Sequence, residues 1–449
     1  MSSKEEPVKI LAPQSFRDHL SRRTLFKLGG AAAGIAILAA CGDDKVASNA
    51  TGGGGTTAGT TAGTAAGSAG ATTAAGTTGS GGGAAGSSDV GDSGTGLGVA
   101  SGDWSRVTNK SSGSLNMYTW GEYNDPDIVG ALAEKDLGVK MQVSYYTSNE
   151  DLITKLQASK GTSGFDIVVP TGPYIPQMIQ NGLLEKFDKS KLPNMVNVDP
   201  LYLGQAWDKT NDYSVCKDWG STGWFYDKTQ IKTEIKTWKD FLDVCQGEGS
   251  KKCSVLDTPA NLTGPYFWSN GIDWNTTNTA DLDAAEKFVV GSLAPHIKAF
   301  DSYPSDKIAE GAYAVSMMWN GDARAAYPKI SDAGGDVDKW VWGLGAPQTE
   351  LWMDNYCIAA GAPNPDAAHA WINWILIPEV SIKDLDFHGY NSGMKNMSQL
   401  LKELKPKLEH GDMIFFGDEQ VKSMRTQVIG PQQDRLVDIY NKAHAAAGA

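Results

Sequence analysis

The sequence predicts an α/β protein of two lobes with a cleft between them, preceded by a long leader without a core of its own. Three observations lead there. Short apolar strands alternate with amphipathic helices between Leu115 and Pro170, a second set of such elements runs from about Trp224 to Trp342, and residues 42–113 are dominated by Gly, Ala, Ser and Thr. With 449 residues, 41% of them hydrophobic, the chain holds enough apolar material for more than one core.

Residues 1–40 read as an address. Lys4, Lys9, Arg17, Arg22, Arg23 and Lys27 outnumber Glu5, Glu6 and Asp18 ahead of an apolar run from Leu28 to Ala40. The run is rich in Gly and Ala and shorter than the about 20 residues that a membrane-spanning helix needs. SRRTLFK (Ser21–Lys27) resembles a twin-arginine export signal, and LAAC (Leu38–Cys41) resembles a lipobox, whose cysteine becomes a lipidated N-terminus after cleavage. Cys41 is therefore the expected lipid anchor and residues 41–113 the expected tether. Near-repeats such as GTTAGTTAGTAAG cannot bury enough apolar surface to offset the entropy of ordering them. A flexible segment of about 70 residues reaches roughly 45 Å, at about 5–6 Å × √n. The glycines between Gly94 and Gly98 follow no strand and carry no nucleotide-binding signal.

Beyond the tether, Leu115–Trp120 (LNMYTW) reads as a strand ending at a turn, Pro126–Lys135 as a helix and Val139–Tyr146 as a strand. Asn149–Lys160 follows as a helix and Asp166–Pro170 (DIVVP) as a short, continuously apolar strand. That β-α-β-α-β order implies a parallel sheet covered on both faces. Ligands of such sheets sit beyond the carboxyl ends of the strands, where Trp120 and Thr171 fall. The expected division is 114–222 with 353–405 as one lobe and 223–352 with 406–449 as the other, the pocket lying between them.

The formal charge of −13 and a pI near 5.0 disfavour nucleic acid and anionic lipid as partners, since both are held by Lys and Arg against phosphate. An acidic chain suits a cationic ligand, or is acidic for solubility alone. His19, His296, His369, His388, His410 and His444 form no H-E-x-x-H, and the cysteines lack C-x-x-C spacing, so no metal is expected. With no G-x-S-x-G elbow and no P-loop, no catalytic residue and no cofactor are assigned. Four cysteines follow Cys41 in a compartment that permits disulfides. Cys245 and Cys253 bracket a turn-like QGEGSKK and are expected to bridge; Cys216 and Cys357 then pair by elimination or stay as free buried thiols.

Aromatic residues beside acids at segment ends stand out: Trp120-Gly121-Glu122-Tyr123, Trp319-Asn320-Gly321-Asp322 and Trp352-Met353-Asp354. A ring face attracts a cation by about 0.5–2 kcal/mol, and a desolvated carboxylate gives an ammonium a charge-assisted hydrogen bond. Together they suit an alkylammonium ligand, although each Trp alone also suits core packing and each acid a helix cap.

From about Leu115 to Lys442 the chain resembles the spermidine/putrescine-binding proteins of ABC importers. YTWGEY (Tyr118–Tyr123), SNEDLITKL (Ser148–Leu156), FDIVVPTGPY (Phe165–Tyr174), LEKFDKSKLPNMVNVDP (Leu184–Pro200), MWNGDA (Met318–Ala323) and WMDNYCIAAGA (Trp352–Ala362) occur in family order. The resemblance implies the type II periplasmic-binding-protein fold, two α/β lobes joined by crossover strands and closing about a hinge, with no cofactor and no reaction. Its implied partners are a small cationic ligand and an ABC permease, the protein being monomeric and lipid-anchored to the outer face of the cytoplasmic membrane. By position it implies that Trp120 and Tyr123 line the ligand's aliphatic chain, with Trp319 and Trp352 as further walls. Glu122 and Asp354 would receive one terminal ammonium and Asp322 the other, as in the putrescine-type branch. Thr171 takes the place of a binding serine, Tyr174 lies in the same loop, and Asp257 and Gln427 complete the implied polar contacts.

Two departures stand against this pattern. In SVLDTPANLTGPYF (Ser254–Phe267) the family offers an acid a few residues after Asp257, where Thr258, Ala260 and Asn261 stand here. Gly121 likewise replaces a hydroxyl residue between the Trp and the acid. Losing a buried partner costs an ammonium about 2–5 kcal/mol unless something compensates. The expectation is therefore a polyamine receptor, putrescine ahead of spermidine, with another small nitrogenous or zwitterionic solute as the alternative and a secreted hydrolase more distant.

Overall fold

In the computed structural model, residues 95–159 and 161–448 are described. The export signal, Cys41 and the tether up to residue 94 lie outside them. Twelve strands are present among the described residues: β1 (Gly113–Trp120), β2 (Val139–Tyr146), β3 (Ile167–Val168), β4 (Leu184–Glu185), β5 (Val215–Asp227), β6 (Cys253–Val255), β7 (Ile297–Phe300), β8 (Val315–Trp319), β9 (Trp340–Leu344), β10 (Thr349–Ala359), β11 (Asn391–Ser392) and β12 (Met424–Arg425). They lie in the order β2-β1-β3-β10-β5-β8-β6-β7, with β4 and β12 added to β10 and β9 and β11 to β5.

β1 runs parallel to β2 and β3, and β6 runs parallel to β7 and β8, so each lobe carries the parallel sheet that the alternating pattern implies. The two long strands differ. β5 lies antiparallel to β10 from Val215 to Ser221, then from Thr222 onward lies antiparallel to β8 and β9. β10 starts beside β12 and β5 and ends beside β3 and β4. These two strands therefore pass from one lobe to the other side by side.

Period-two alternation sorts each lobe's core into two layers. In the first, Leu115 and Met117 pack with Trp371 and Leu385 on one face, while Tyr118 packs with Tyr146, Leu152 and Met178 on the other. In the second, Trp224, Val315 and Met317 join Trp238, Phe267 and Leu436, while Phe225 and Met318 join Ile330 and Trp340.

Several expectations need correction. The segment from Ala100 to Val107, read as tether, is a strap on the first lobe: Ala100 N donates to Glu379 Oε1 at 2.8 Å, Arg106 forks onto the same carboxylate, and Trp104 joins the apolar cluster. One indole and one guanidinium anchor this stretch to the lobe. The helix expected from Pro126 begins only at Ala131, after a turn in which Leu132 N reaches back to Asp127 O. The boundary expected at 405/406 is not a clean one: Leu404, Leu408, Ile414 and Phe415 pack in the first lobe, while Met413 packs in the second and His410 stacks on Tyr327 there.

Cys245 and Cys253 are joined, with Cα atoms 5.6 Å apart. Cys216 and Cys357 are free and buried. Cys216 lies opposite Asn355, which puts Cys357 two residues out of register. Such a diagonal pair stands about 7–8 Å apart, and a disulfide needs about 4.4–6.8 Å between Cα atoms.

Candidate ligand-binding cleft

Four chain segments deliver rings and acids to the place where β5 and β10 cross between the lobes. On β10, alternation puts Glu350, Trp352 and Asp354 on one face. β1 ends at Trp120, whose indole N–H donates to Val169 O and whose ring meets Tyr146 edge-on at 4.7 Å. The turn after it holds Glu122 at φ 52°, a left-handed conformation that costs a non-glycine residue on the order of 1–3 kcal/mol. Tyr123 then turns inward and is buried. β8 ends at Trp319 and gives way at once to the helix Asn320–Asp332, with Asp322 in its first turn.

Two glycines make room for the rings. A Cβ at Gly220 would stand 2.5 Å from Trp352 Cζ2 and Asn320 Oδ1, and one at Gly321 would enter the Tyr390 ring. Trp352 and Tyr390 accordingly meet edge-on at 4.7 Å.

The acids share few protein donors. Tyr123 Oη lies 2.5 Å from Asp218 Oδ1 and 2.8 Å from Asp354 Oδ2. One hydroxyl has one proton, so it can bond both carboxyls only when one of them carries a proton of its own. Burial raises both carboxyls, Asp354 to about 7 with repulsion from Asp218 as its next cause, and since Lys217 pairs with Asp218 the proton belongs on Asp354. Asp354 Oδ1 is buried without a well-formed hydrogen bond; the nearby Thr171 hydroxyl, which accepts from Asn149 Nδ2 at 3.0 Å and keeps its own proton to donate, acts on the carboxyl to lower its pKa. Behind Asp218, Lys217 Nζ lies 2.9 Å from Asp218 Oδ2, 3.4 Å from Asp384 Oδ2 and 4.0 Å from the Tyr123 ring centre. Burial works against the Lys217 charge, but Asp218 and Asp384 outweigh it and keep the ammonium. His388, beside both acids, is held neutral by burial and by Lys217.

Asp322 accepts from Tyr390 Oη at 2.5 Å and is raised by burial to about 6. Glu350 accepts from Asn261 Nδ2 at 2.6 Å, faces the Trp319 indole N–H, and is raised by burial to about 7. Glu122 stays exposed at the rim, 3.5 Å from Lys329 Nζ of the opposite lobe. Tyr303, whose ring meets Trp319 edge-on at 6.5 Å and is 42% exposed, is near enough for its hydroxyl to feel Asp322, Asp354 and Glu122.

Thus Trp120, Glu122, Tyr123, Thr171, Trp319, Asp322, Trp352 and Asp354 come together. Tyr174 lies at the edge, its hydroxyl donating to Glu150 Oε1 at 2.8 Å and sensing Glu350. Asp257 is not brought in by any hydrogen bond: its carboxylate is taken by Tyr440 and by His444 of the C-terminal helix. Gln427 also points elsewhere, its amide 3.5 Å from Gln433 Oε1. Sequence reading missed Asp218, Tyr303, Glu350 and Tyr390. Asp218 does stand beside Trp219, the same acid-and-ring signal, while Tyr390 has no local mark. A cavity of about 360 Å³ beside Gln157, Asn181 and Leu183 lies apart from this cluster. Among the described residues no group of three or more His, Cys, Asp or Glu could hold a metal ion, and no helix is long and apolar enough to cross a membrane.

Residues 128–408 match the family of bacterial extracellular solute-binding proteins. The chain belongs to that family. As a solute-binding protein it is 30% identical over 336 residues to the spermidine/putrescine-binding periplasmic protein of Escherichia coli strain K12, covering 74% of this chain and 92% of the relative. It is 32% identical over 280 residues to the protein of the same name from Salmonella typhimurium, covering 62% and 76%. Among solved structures, a putative spermidine/putrescine ABC transporter from Listeria monocytogenes aligns with a TM-score of 0.64 and 26% identity, over 75% of this chain and 98% of that one. The two-lobe fold implied by the sequence is the fold of these proteins.

Proposed function

We propose that this solute-binding protein captures a linear polyamine of the putrescine and spermidine class outside the cytoplasm and presents it, closed between the lobes, to a membrane permease driven by ATP. Its action is binding, not catalysis. One observation carries the proposal: Glu350 and Asp354 are buried, and Asp322 half-buried, among indole and phenol rings, and among the described residues none of them forms an ion pair with Lys, Arg or His. Buried carboxylates of this kind require either a proton or a cation. An ammonium at Asp354 meets the unpartnered Oδ1 and displaces the proton, while methylenes pack on Trp120, Trp319 and Trp352. Lipidation at Cys41, a long tether and a monomeric state complete the proposed arrangement, which keeps the receptor beside its permease. The relatives' names agree with this ligand class.

Isothermal calorimetry on the purified chain with putrescine and with spermidine tests the proposal. Saturable binding of either is expected. No heat with both amines, together with tight binding of a different nitrogenous solute, would overturn it.

A further inference from the structure

We infer that Glu350 is a ligand-contacting acid that sets the length of the cargo, selecting a chain with three nitrogens over a short diamine. The inference rests on the polyamine reading above and deepens it. Glu350 is 7% exposed on the same face of β10 as Trp352 and Asp354. Its neighbours are Asn261, Trp319 and, farther off, the Tyr174 hydroxyl. The nearest cation along the chain pairing is Arg425, opposite Glu350 in the β10–β12 register, and its guanidinium donates instead to the carbonyls of Lys422 and Met424.

The stretch after Asp257, where the sequence lacks an acid, gains a new role here. Thr258 caps the helix Pro259–Ser269, and its hydroxyl donates to Asn261 Oδ1 at 2.6 Å. With the carbonyl end of the amide held there, Nδ2 is aimed at Glu350 Oε2. Asn261 is thus a positioning residue, and the negative charge is supplied from the crossover strand. Glu350 and Asp354 are four residues apart on one extended strand, about 13 Å of strand at 3.2–3.4 Å per residue, with the Trp352 ring between them. Two carboxyls so separated hold the ends of a long polycation simultaneously. A four-carbon diamine is too short to engage both, and pairs with Asp354 and Asp322 alone.

Calorimetry with spermidine and putrescine on the full chain and on Glu350→Gln, which preserves the side chain's shape and its bond to Asn261, is the test. The wild type is expected to prefer spermidine, and E350Q to lose tenfold or more in spermidine affinity with under threefold change for putrescine. Equal affinities for the two amines in both proteins, or an equal loss for both amines in E350Q, would overturn the inference while leaving the polyamine reading intact. Failure of the wild type to bind either amine would remove that reading, and this one with it. Should E350Q fail to fold, proton release by the wild type decides: at pH 6, heats in buffers of different ionisation enthalpy should show spermidine expelling more protons than putrescine, and equal release refutes the role.

Discussion

Acidifying the medium should weaken cargo binding steeply, and the shared Tyr123 hydroxyl explains why. Amines of this class stay charged below about pH 9, since alkylammonium groups titrate near 10, so any change between pH 8 and pH 5 belongs to the protein. Asp354 sits at about 7 and Asp322 at about 6, both raised chiefly by burial. At pH 5 only about one molecule in a hundred has Asp354 ionised, a penalty of about 2.7 kcal/mol, and Asp322 adds about 1.4 kcal/mol, at about 1.36 per pH unit. Putrescine affinity should therefore fall by roughly 100-fold to 1000-fold from pH 8 to pH 5. Calorimetry across that range measures it, and Asp354→Asn isolates the larger share: affinity at pH 8 drops tenfold or more, and the remaining profile flattens to the Asp322 contribution. Stability has the opposite sign. An acid raised in the folded state contributes stability that is present below its ordinary value near 4 and is lost as the pH rises through about 7. On this account the ligand-free protein melts at higher temperature at pH 5 than at pH 8, and ligand narrows the gap. A wild-type affinity constant within threefold across the range would refute the reasoning.

Three further outcomes follow from packing. Arg106→Ala leaves Glu379, whose side chain is 1% exposed, without its cation; a loss of about 2–3 kcal/mol in urea unfolding is expected, below the 3–5 of a fully buried pair because Arg106 keeps some contact with water. A change under about 0.5 kcal/mol would mean the strap is not anchored there. Replacing both Cys245 and Cys253 with Ser opens a cross-link between residues eight apart, and chain entropy predicts a loss of about 2–3 kcal/mol against the oxidised wild type in the same assay, with little difference from the reduced wild type. Gly220→Ala drives a methyl group into Trp352 and Asn320, costing about 1–3 kcal/mol and weakening amine binding together with stability. Unchanged affinity would show that Trp352 is not a wall of the cleft.

What the sequence disclosed and what it hid divide along a physical line. Strand alternation and the acid-and-ring triplets are local patterns, so β1, β2, Trp120, Asp322 and Asp354 were legible. β5 as a strand was not legible from periodicity, because its 13 residues are buried on both faces and carry no period-two contrast, and crossover strands were implied by the family resemblance alone. Tyr390 was hidden for another reason: it follows a helix end in an apolar-and-polar mixture, and only the Gly321 notch on a distant segment brings its hydroxyl to Asp322. Asp257 illustrates the converse. Its position matches a ligand contact, but Tyr440 and His444 lie 183 and 187 residues downstream, and their claim on its carboxylate cannot be read from the motif. The same applies to Glu350, whose partner Asn261 stands 89 residues away.

A receptor for cations has to store its acids while empty, and the arrangement around Asp354 shows how this is done without blocking the site. Were Lys217 paired directly with Asp354, an arriving ammonium would have to break a buried ion pair, and stranding a charge in that way costs about 3–5 kcal/mol. Lys217 instead stands one layer back, on Asp218 and Asp384, with Tyr123 between that pair and the cleft. Asp354 is then neutralised by a proton, which solvent accepts readily near neutral pH, and its charge becomes available as the ammonium arrives. In the exchange Tyr123 gives up the hydrogen bond it accepted from the Asp354 carboxyl and keeps its one proton for a single carboxylate, Asp218 or Asp354. Asp218 and Asp384 keep Lys217 between them, and within this cluster the group that changes protonation is Asp354, which faces the cargo.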